Sequence, residues 1–442
     1  MQEGPAKTEE QLERSLGPLM IWGLGVGYVI SGEYFGWNLG LEHGGPYGML
    51  AATAIVTLMY VAFVLSYAEV ACAIPRAGGA FVYADRAFGR DLGFLAGVAQ
   101  LIEFVFAPPA IAFAIGAYFQ NYVPGMPAVA LAVCAYLLFT GLNIWGVKQS
   151  AIFELVITVL AVGELLIFAG VTMPSFEWTT FSSNPLPNGW QGIFPAIPFA
   201  IWFYLAIEGV ANIAEEARDP QRDISRGFLS AMGTLVFLAI LVFFTSVGVA
   251  GWEAVVFDPV TGEPSDSPLP LALAHVVGRD HFLYHLLITV GLFGLIASFH
   301  GIVLVAGRAT FEFGRVGYLP AILGKTLPGR KTPAAALVAN MLVGFVALAT
   351  GRTADIITLA AFGALMLYIM SMLSLFALRR REPELERPYR APLYPVVPAL
   401  ACGLACFCMI AMFVYNTTVG LIFGGLVLGS WILFRVFTKA DA

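Results

Sequence analysis

Charge is scarce in this sequence: Asp, Glu, Lys and Arg make up only 12% of its 442 residues. Soluble domains carry roughly a quarter, so the scarcity excludes a water-soluble globular fold of this size. Cysteine is also scarce, with five in all. Cys402, Cys406 and Cys408 cluster, but a thiolate metal site needs a fourth ligand and a polar surround, so packing is the reading for them. The five histidines, His43, His275, His281, His285 and His300, show no metal-ligand pattern; His281 and His285 are four apart without a third partner. No catalytic constellation stands out, and an enzyme is not expected. No phosphate-binding glycine loop is present, so the chain has no ATP drive of its own. No apolar core with a small-residue cleavage site opens the chain, so residues 1–17 read as a mature N-terminal segment. The net charge of −6 comes mostly from hydrophilic ends and an acidic loop near residues 252–280. Nucleic acid is not an expected partner, and no cofactor or metal is expected.

Hydrophobic residues are what the chain has in excess, at 59%. In windows of about 20 residues, apolar stretches centre near Val29, Ile55, Phe106, Leu137, Ile157, Ala200, Leu241, Leu292, Val343, Met366, Ala405 and Val427. Each is long enough to cross a bilayer. The alternation of a membrane β-barrel is missing, which leaves helices as the solution that satisfies the backbone in lipid. The expectation is an all-α integral membrane protein with twelve transmembrane helices. With both termini in the cytoplasm, all but Arg279 and Arg352 of the 23 Lys and Arg fall inside, as the positive-inside rule requires. The setting is a bacterial plasma (inner) membrane, with the chain multi-pass and a monomer or dimer.

Two of these stretches are interrupted. VISGEYFGWNLG, residues 29–40, puts Ser31, Gly32 and Glu33 where a regular apolar helix is expected, and YLAIEG, residues 204–209, does the same in the sixth. Paired interruptions in corresponding segments of two halves point to an inverted repeat with a polar solute at the breaks. The divisions are a cytoplasmic segment 1–17, a first repeat 18–173 (helices 1–5), a second repeat 192–378 (helices 6–10), helices 11–12 at 395–437, and a cytoplasmic end 438–442.

The motifs then resemble a family. SYAEVACAIPRAGGAFVY (66–83), LNIWGVKQSA (142–151), IEGVANIAEEARDPQRDISRG (207–227) and GRATFEFGRVGYLP (307–320) resemble, in register, landmarks of the amino acid/polyamine/organocation (APC) superfamily. The resemblance implies the leucine-transporter-type 5+5 fold with broken helices 1 and 6, and alternating-access transport of small amines or amino acids. One departure is informative. Where the family carries glycine, serine, glycine and two apolar residues in helix 1, this chain has Ile30, Ser31, Gly32, Glu33 and Tyr34. SGEYFGWNLGL most resembles the ethanolamine permease branch.

Residue chemistry leans the same way. A carboxylate near the bilayer centre costs roughly 2.5–3.5 kcal/mol on insertion scales, so Glu33 is expected to face a cavity and meet a cation. The expected substrate is therefore ethanolamine or a related carboxylate-free amine such as choline; an amino acid or polyamine permease or exchanger is the alternative. Expected contacts are Ile30, Ser31, Gly32 and Glu33 on helix 1, Glu103 and Phe106 on helix 3, Trp202, Tyr204 and Glu208 on helix 6, and Phe299 on helix 8. Glu33 also reads as a coupling or structural residue, and Glu208 as a helix-pairing one. The resemblance implies a gating role for Trp202, whose ring would attract an ammonium. Glu69 reads as structural, paired with Arg76 or Arg86. Coupling candidates are Ser298 and His300, with the ion left open between H+ and Na+. Some family members carry a lysine midway along helix 5; here Lys148 lies only at its mouth.

Overall fold

In the computed structural model, residues 15–76, 78–146 and 151–440 are described. Residues 1–14 and Lys148, used above for orientation and coupling, lie outside the described residues. The principal helices are α1 (Pro18–Val29), α2 (Leu41–Ala73), α3 (Arg90–Gln120), α4 (Ala128–Trp145), α5 (Ala151–Thr172), α6 (Ile193–Trp202), α7 (Pro220–Ala250), α8 (Phe282–Arg315), α9 (Ala334–Leu348), α10 (Thr353–Arg381), α11 (Val396–Tyr415) and α12 (Thr417–Ala440). The only β pairing among the described residues is two isolated bridges, Leu16 with Ala217 and Phe257 with Pro264. The fold is all-helical, as the composition requires.

Ten helical segments among the described residues are long and apolar enough to cross a membrane. Two of the twelve expected spans are shorter. α1 is interrupted after 12 residues, and α9 has 15 residues, which rise only about 22 Å against a hydrocarbon core of about 30 Å. α2 is not one straight rod either. Gly45 leaves helical geometry (φ 60°, ψ −174°), with Pro46 next, so residues before Gly45 continue the first span and those after it form the second.

Burial separates central helices from peripheral ones. The apolar windows of Arg90–Gln120 and Gly189–Glu216 are 83% buried, against 22% for Thr417–Val436. Leu421, Ile432 and Leu433 on α12, and Leu137 and Leu138 on α4, are exposed. Such contiguous apolar surface would be a liability in water, but it matches lipid tails.

Ion pairs concentrate on one face of the bundle. Glu69, at the end of α2 and fully buried, is held by Arg379 at 2.7 and 2.5 Å, by Arg387 at 3.3 Å and by the Ala391 N–H at 2.7 Å. The expected partners of Glu69 are thus corrected: Arg86 pairs instead with Glu382 at 2.6 Å, and Arg76 is exposed. A buried carboxylate demands several donors, and the end of α10 presents them. On the same face Arg308 reaches Glu216 at 3.2 Å and Arg435 reaches Asp91 at 3.0 Å.

On the opposite face the segment 252–277 lies over the helix ends. Asn38 donates to the carbonyls of Val255 at 3.2 Å and Ser265 at 2.9 Å, and the Thr353 hydroxyl donates to Asp266 at 2.9 Å. The loop is thereby tied to both the first and the tenth helix.

Candidate substrate site between two broken helices

The first break falls slightly later than Ser31–Glu33. After α1, Ile30 keeps helical torsions (φ −57°, ψ −22°) and Ser31–Tyr34 forms one more turn. Only its bonding tightens, with Glu33 N–H donating to Ile30 C=O at 3.0 Å. The path turns at Phe35 (φ −163°, ψ 174°) and Gly36 (φ 88°). Gly36 can enter the left-handed half of torsion space where a side chain is strained, and this fixes the break there. Gly32 serves a different purpose: a Cβ on it would lie 2.3 Å from the Trp202 carbonyl oxygen. It lets the two broken helices touch.

The second break overlaps the expected 204–209 but falls slightly earlier, at Phe203–Ala206. α6 ends at Trp202, the chain turns through Phe203–Ala206, and Ile207–Glu216 resumes as a 3-10 helix. Ala206 sits at φ 74°, a conformation that costs an L-residue about 1–2 kcal/mol. Its N–H donates to Glu103 Oε1 at 3.1 Å, a charge-assisted bond of the stronger kind. A carboxyl on α3 thus holds the α6 break open.

A small cavity of about 10 Å³ lies where the breaks meet, lined by Val29, Ser31, Ala107, Ile111, Trp202, Leu205 and Ile302. Ser31 accepts from the Ser298 hydroxyl at 2.8 Å, and Ser298 lies at the same distance from the Tyr28 carbonyl. Trp202 meets Phe35 edge-on, ring centroids 5.4 Å apart, and its indole N–H has no partner. Among the described residues no basic side chain lines the cavity, and Ser31 is its one hydroxyl. A second cavity of about 10 Å³ lies away from the breaks, beside Tyr34, Tyr118, Glu164 and Leu273.

Ser31 and Trp202 are therefore brought to the cavity, with Gly32 directly behind Trp202. Ile30 is fully buried but outside the lining. Glu33 is fully buried and neither carboxyl oxygen has a hydrogen-bond partner; it too is outside the lining. Tyr204 turns to α2, its hydroxyl 2.7 Å from Thr57. Glu103 accepts from the Ala206 N–H and Glu208 from the Tyr368 hydroxyl, and both lie outside the lining. Phe106 is half-buried and off the lining, because Glu103, Ala107 and Ile111 share the inward face at four-residue spacing. Phe299 packs edge-on against Tyr136 at 4.9 Å on α4. His300 Nδ1 lies 3.2 Å from the Asn143 amide, likewise on α4. The residues missed from sequence are Ala107, Ile111, Leu205 and Ile302, apolar side chains that composition cannot distinguish from ordinary packing. The four-residue spacing from Glu103 was the one available signal for two of them. Among the described residues no His, Cys, Asp and Glu cluster could hold a metal ion.

The sequence profile of the amino acid permease family matches residues 16–433. Three relatives cover most of the chain. A methylthioribose transporter of Bacillus subtilis (strain 168) is 28% identical over 91% of this chain and 89% of its own length. A branched-chain amino acid permease of the same organism is 25% identical over 89% and 87%. A low-affinity putrescine importer of Escherichia coli (strain K12) is 27% identical over 80% and 78%.

Proposed function

We propose, from the premise that the chain belongs to the amino acid permease family, that it is a secondary transporter for a small amine-bearing solute, an amino acid or a simple amine. The observation that carries this reading is the small cavity at the meeting of two helix breaks, lined by aliphatic side chains, one hydroxyl and one indole. Broken helices expose backbone amides and carbonyls that lipid cannot satisfy, so they suit a polar solute at the cavity. An aliphatic wall then suits the solute's hydrocarbon part.

The reading extends to topology. Twelve spans, with helices 1–5 and 6–10 as inverted repeats and both termini cytoplasmic, are supported by breaks at corresponding places in α1 and α6 and by the arginine-rich face described above. The setting proposed is a bacterial plasma membrane, where the positive-inside rule places that face in the cytoplasm.

None of the relatives reported above is named for ethanolamine, and their names span an amino acid, a diamine and a thiosugar. The broader amine and amino acid class is therefore preferred to ethanolamine alone. A carboxylate-free amine remains the second reading, favoured by the unpartnered Glu33 carboxyl in the segment that supplies Ser31. The deciding experiment is thermal stabilisation of the purified protein by a panel of neutral amino acids, diamines, ethanolamine and choline, since a ligand that binds only the folded state raises its stability. Stabilisation by one class, followed by saturable counterflow in proteoliposomes, supports the reading. Non-saturating flux would indicate a channel instead.

A further inference from the structure

The arginines of the arginine-rich face are of two kinds. Arg86, Arg308, Arg379 and Arg435 each meet a carboxylate, on Glu382, Glu216, Glu69 and Asp91 respectively. Arg330 meets a ring instead: its guanidinium carbon lies 5.7 Å from the ring centroid of Trp145, at the end of α4. Both residues are exposed, Trp145 by 69%. The sequence leaves this corner without negative charge. No Asp or Glu occurs between Glu103 and Glu154, the stretch that contains α4, or between Glu312 and Asp355, the stretch that contains Arg330. Lys325 and Lys331, both exposed, add charge of the same sign.

Trp145 and Arg330 are kept together by their backbones. The Thr332 hydroxyl donates to the Ile144 carbonyl at 2.9 Å, which joins the loop before α9 to the end of α4. The turn that carries Arg330 is closed on itself, with Leu327 N–H donating to Thr332 C=O at 2.9 Å and Lys331 N–H to Leu327 C=O at 3.0 Å. A guanidinium over a ring face can keep its in-plane N–H donors for a further partner, and phosphate is an anion whose geometry they fit.

Depth in the membrane selects which phosphate. α9 starts at Ala334, directly after this turn, and its 15 residues rise only about 22 Å against a hydrocarbon core of about 30 Å. A helix that short draws the turns at its ends toward the acyl boundary. Along α9, Val338, Leu342 and Val346 are exposed and recur at four-residue spacing, so they form one apolar stripe. Tryptophan itself prefers the headgroup level. Positive charge at that level beside an apolar wall matches an anionic phospholipid.

We propose that Arg330, with Trp145 against it and Lys331 next in the turn, binds the phosphate of an anionic phospholipid of the cytoplasmic leaflet, whose acyl chains lie along the α9 stripe. The leaflet follows from the orientation read above. The site is independent of which solute is carried.

The test uses the purified full chain in mixed micelles, with lipid retention read by native mass spectrometry during titration with phosphatidylglycerol, phosphatidylcholine or water-soluble glycerol phosphate. Wild type is expected to hold phosphatidylglycerol at least tenfold more tightly than phosphatidylcholine and to release glycerol phosphate. A basic residue beside an anionic headgroup is worth about fivefold in affinity. Arg330→Gln should therefore lose about fivefold for phosphatidylglycerol, and the Arg330→Gln, Lys331→Gln double variant about twenty-fivefold, with phosphatidylcholine unchanged. Trp145→Leu keeps an apolar side chain without the ring and should lose less. Arg352→Gln, at an exposed arginine on the opposite face, should match wild type. Equal retention of the two lipids by wild type, or a preference unchanged in the double variant, overturns the proposal. Glycerol phosphate held as tightly as lipid also overturns it and makes this a free-phosphate site. An equal loss in Arg352→Gln overturns it as well, since diffuse charge would then be the cause. No transport is measured, so a chain without counterflow could still pass this test, and failure here leaves the transporter reading intact.

Discussion

Gly32 lies so close to Trp202 that a methyl group on it would sit 2.3 Å from the Trp202 carbonyl oxygen. The obstacle is backbone, so it cannot swing aside as a side chain would. Gly32→Ala is expected to destabilise the protein by about 1–3 kcal/mol through overpacking and to separate the two breaks that enclose the cavity. Gly233, in α7, has open space around its Cβ position. Gly233→Ala should therefore be neutral or stabilising by up to about 1 kcal/mol, since alanine is the better helix former. Thermal melting of both variants, with counterflow per folded molecule, checks the pair; equal melting would sever the link between Gly32 and the break.

The loop over the opposite face carries a pH-sensitive tie. Burial pushes the Asp266 carboxyl up from its usual 3.8 to about 6, and the Thr353 hydroxyl bond only partly offsets this. A raised folded-state value means that the protonated form is favoured by folding. Its stabilising contribution is full below about pH 4 and is lost as pH rises through about 6. A two-unit shift corresponds to at most about 3 kcal/mol, spread over that window. Protection factors of the 252–277 segment, exchange corrected for its intrinsic rise with pH, should accordingly fall between pH 4 and 6, and Asp266→Asn should abolish that fall. Protection factors flat with pH in wild type would show that the tie does not titrate.

The broad fold was legible because bilayer physics leaves few choices. Apolar stretches of about 20 residues can only be helices, and the polar interruptions at Ser31–Glu33 and Tyr204–Gly209 had to face something other than lipid. The detail was less legible where a glycine has two uses. Gly32 reads from sequence as a helix breaker, but it stays helical and supplies closeness, while Gly36 supplies the positive φ. Partner choice was hidden for a similar reason. Glu69 was expected to pair with arginines near it in sequence, whereas Arg379 and Arg387 reach it from α10 and beyond. The cavity wall was the least legible part. Ala107, Ile111, Leu205 and Ile302 are ordinary membrane-helix residues whose role comes only from which helices meet.

Glu69 makes the arginine-rich face testable. Its carboxylate is buried and bonded by Arg379 and the Ala391 amide, with Arg387 beside it. Glu69→Gln leaves Arg387, whose side chain is 8% exposed, without its counter-charge. Breaking such a pair from one side costs about 3–5 kcal/mol, far more than an exposed pair. Arg435→Ala, which removes the exposed bridge to Asp91, should cost under about 1 kcal/mol. Melting temperatures of the two variants in one detergent give the comparison, and similar losses would mean that burial is not what makes the Glu69 cluster matter.

Glu33 separates the two substrate readings. Its carboxyl is fully buried with both oxygens unpartnered, in the same turn as Ser31, which does line the cavity. Glu33→Gln keeps the volume and most of the hydrogen-bonding capacity but removes the attraction for an ammonium. If the solute is a carboxylate-free amine, that attraction is a charge-assisted contact of roughly 1.5–3 kcal/mol, and affinity should fall about tenfold to a hundredfold. If the solute is an amino acid, its own carboxylate meets the helix-break amides, and a neutral residue 33 relieves repulsion between two carboxyls, so affinity should hold or rise. Trp202→Ala should weaken both classes, and a larger loss for choline than for ethanolamine would mark a ring face against the ammonium. The measurement is binding of ethanolamine and of a neutral amino acid to Glu33→Gln protein that purifies as a single species. Ethanolamine affinity unchanged from wild type would remove Glu33 from the solute site and end the carboxylate-free reading.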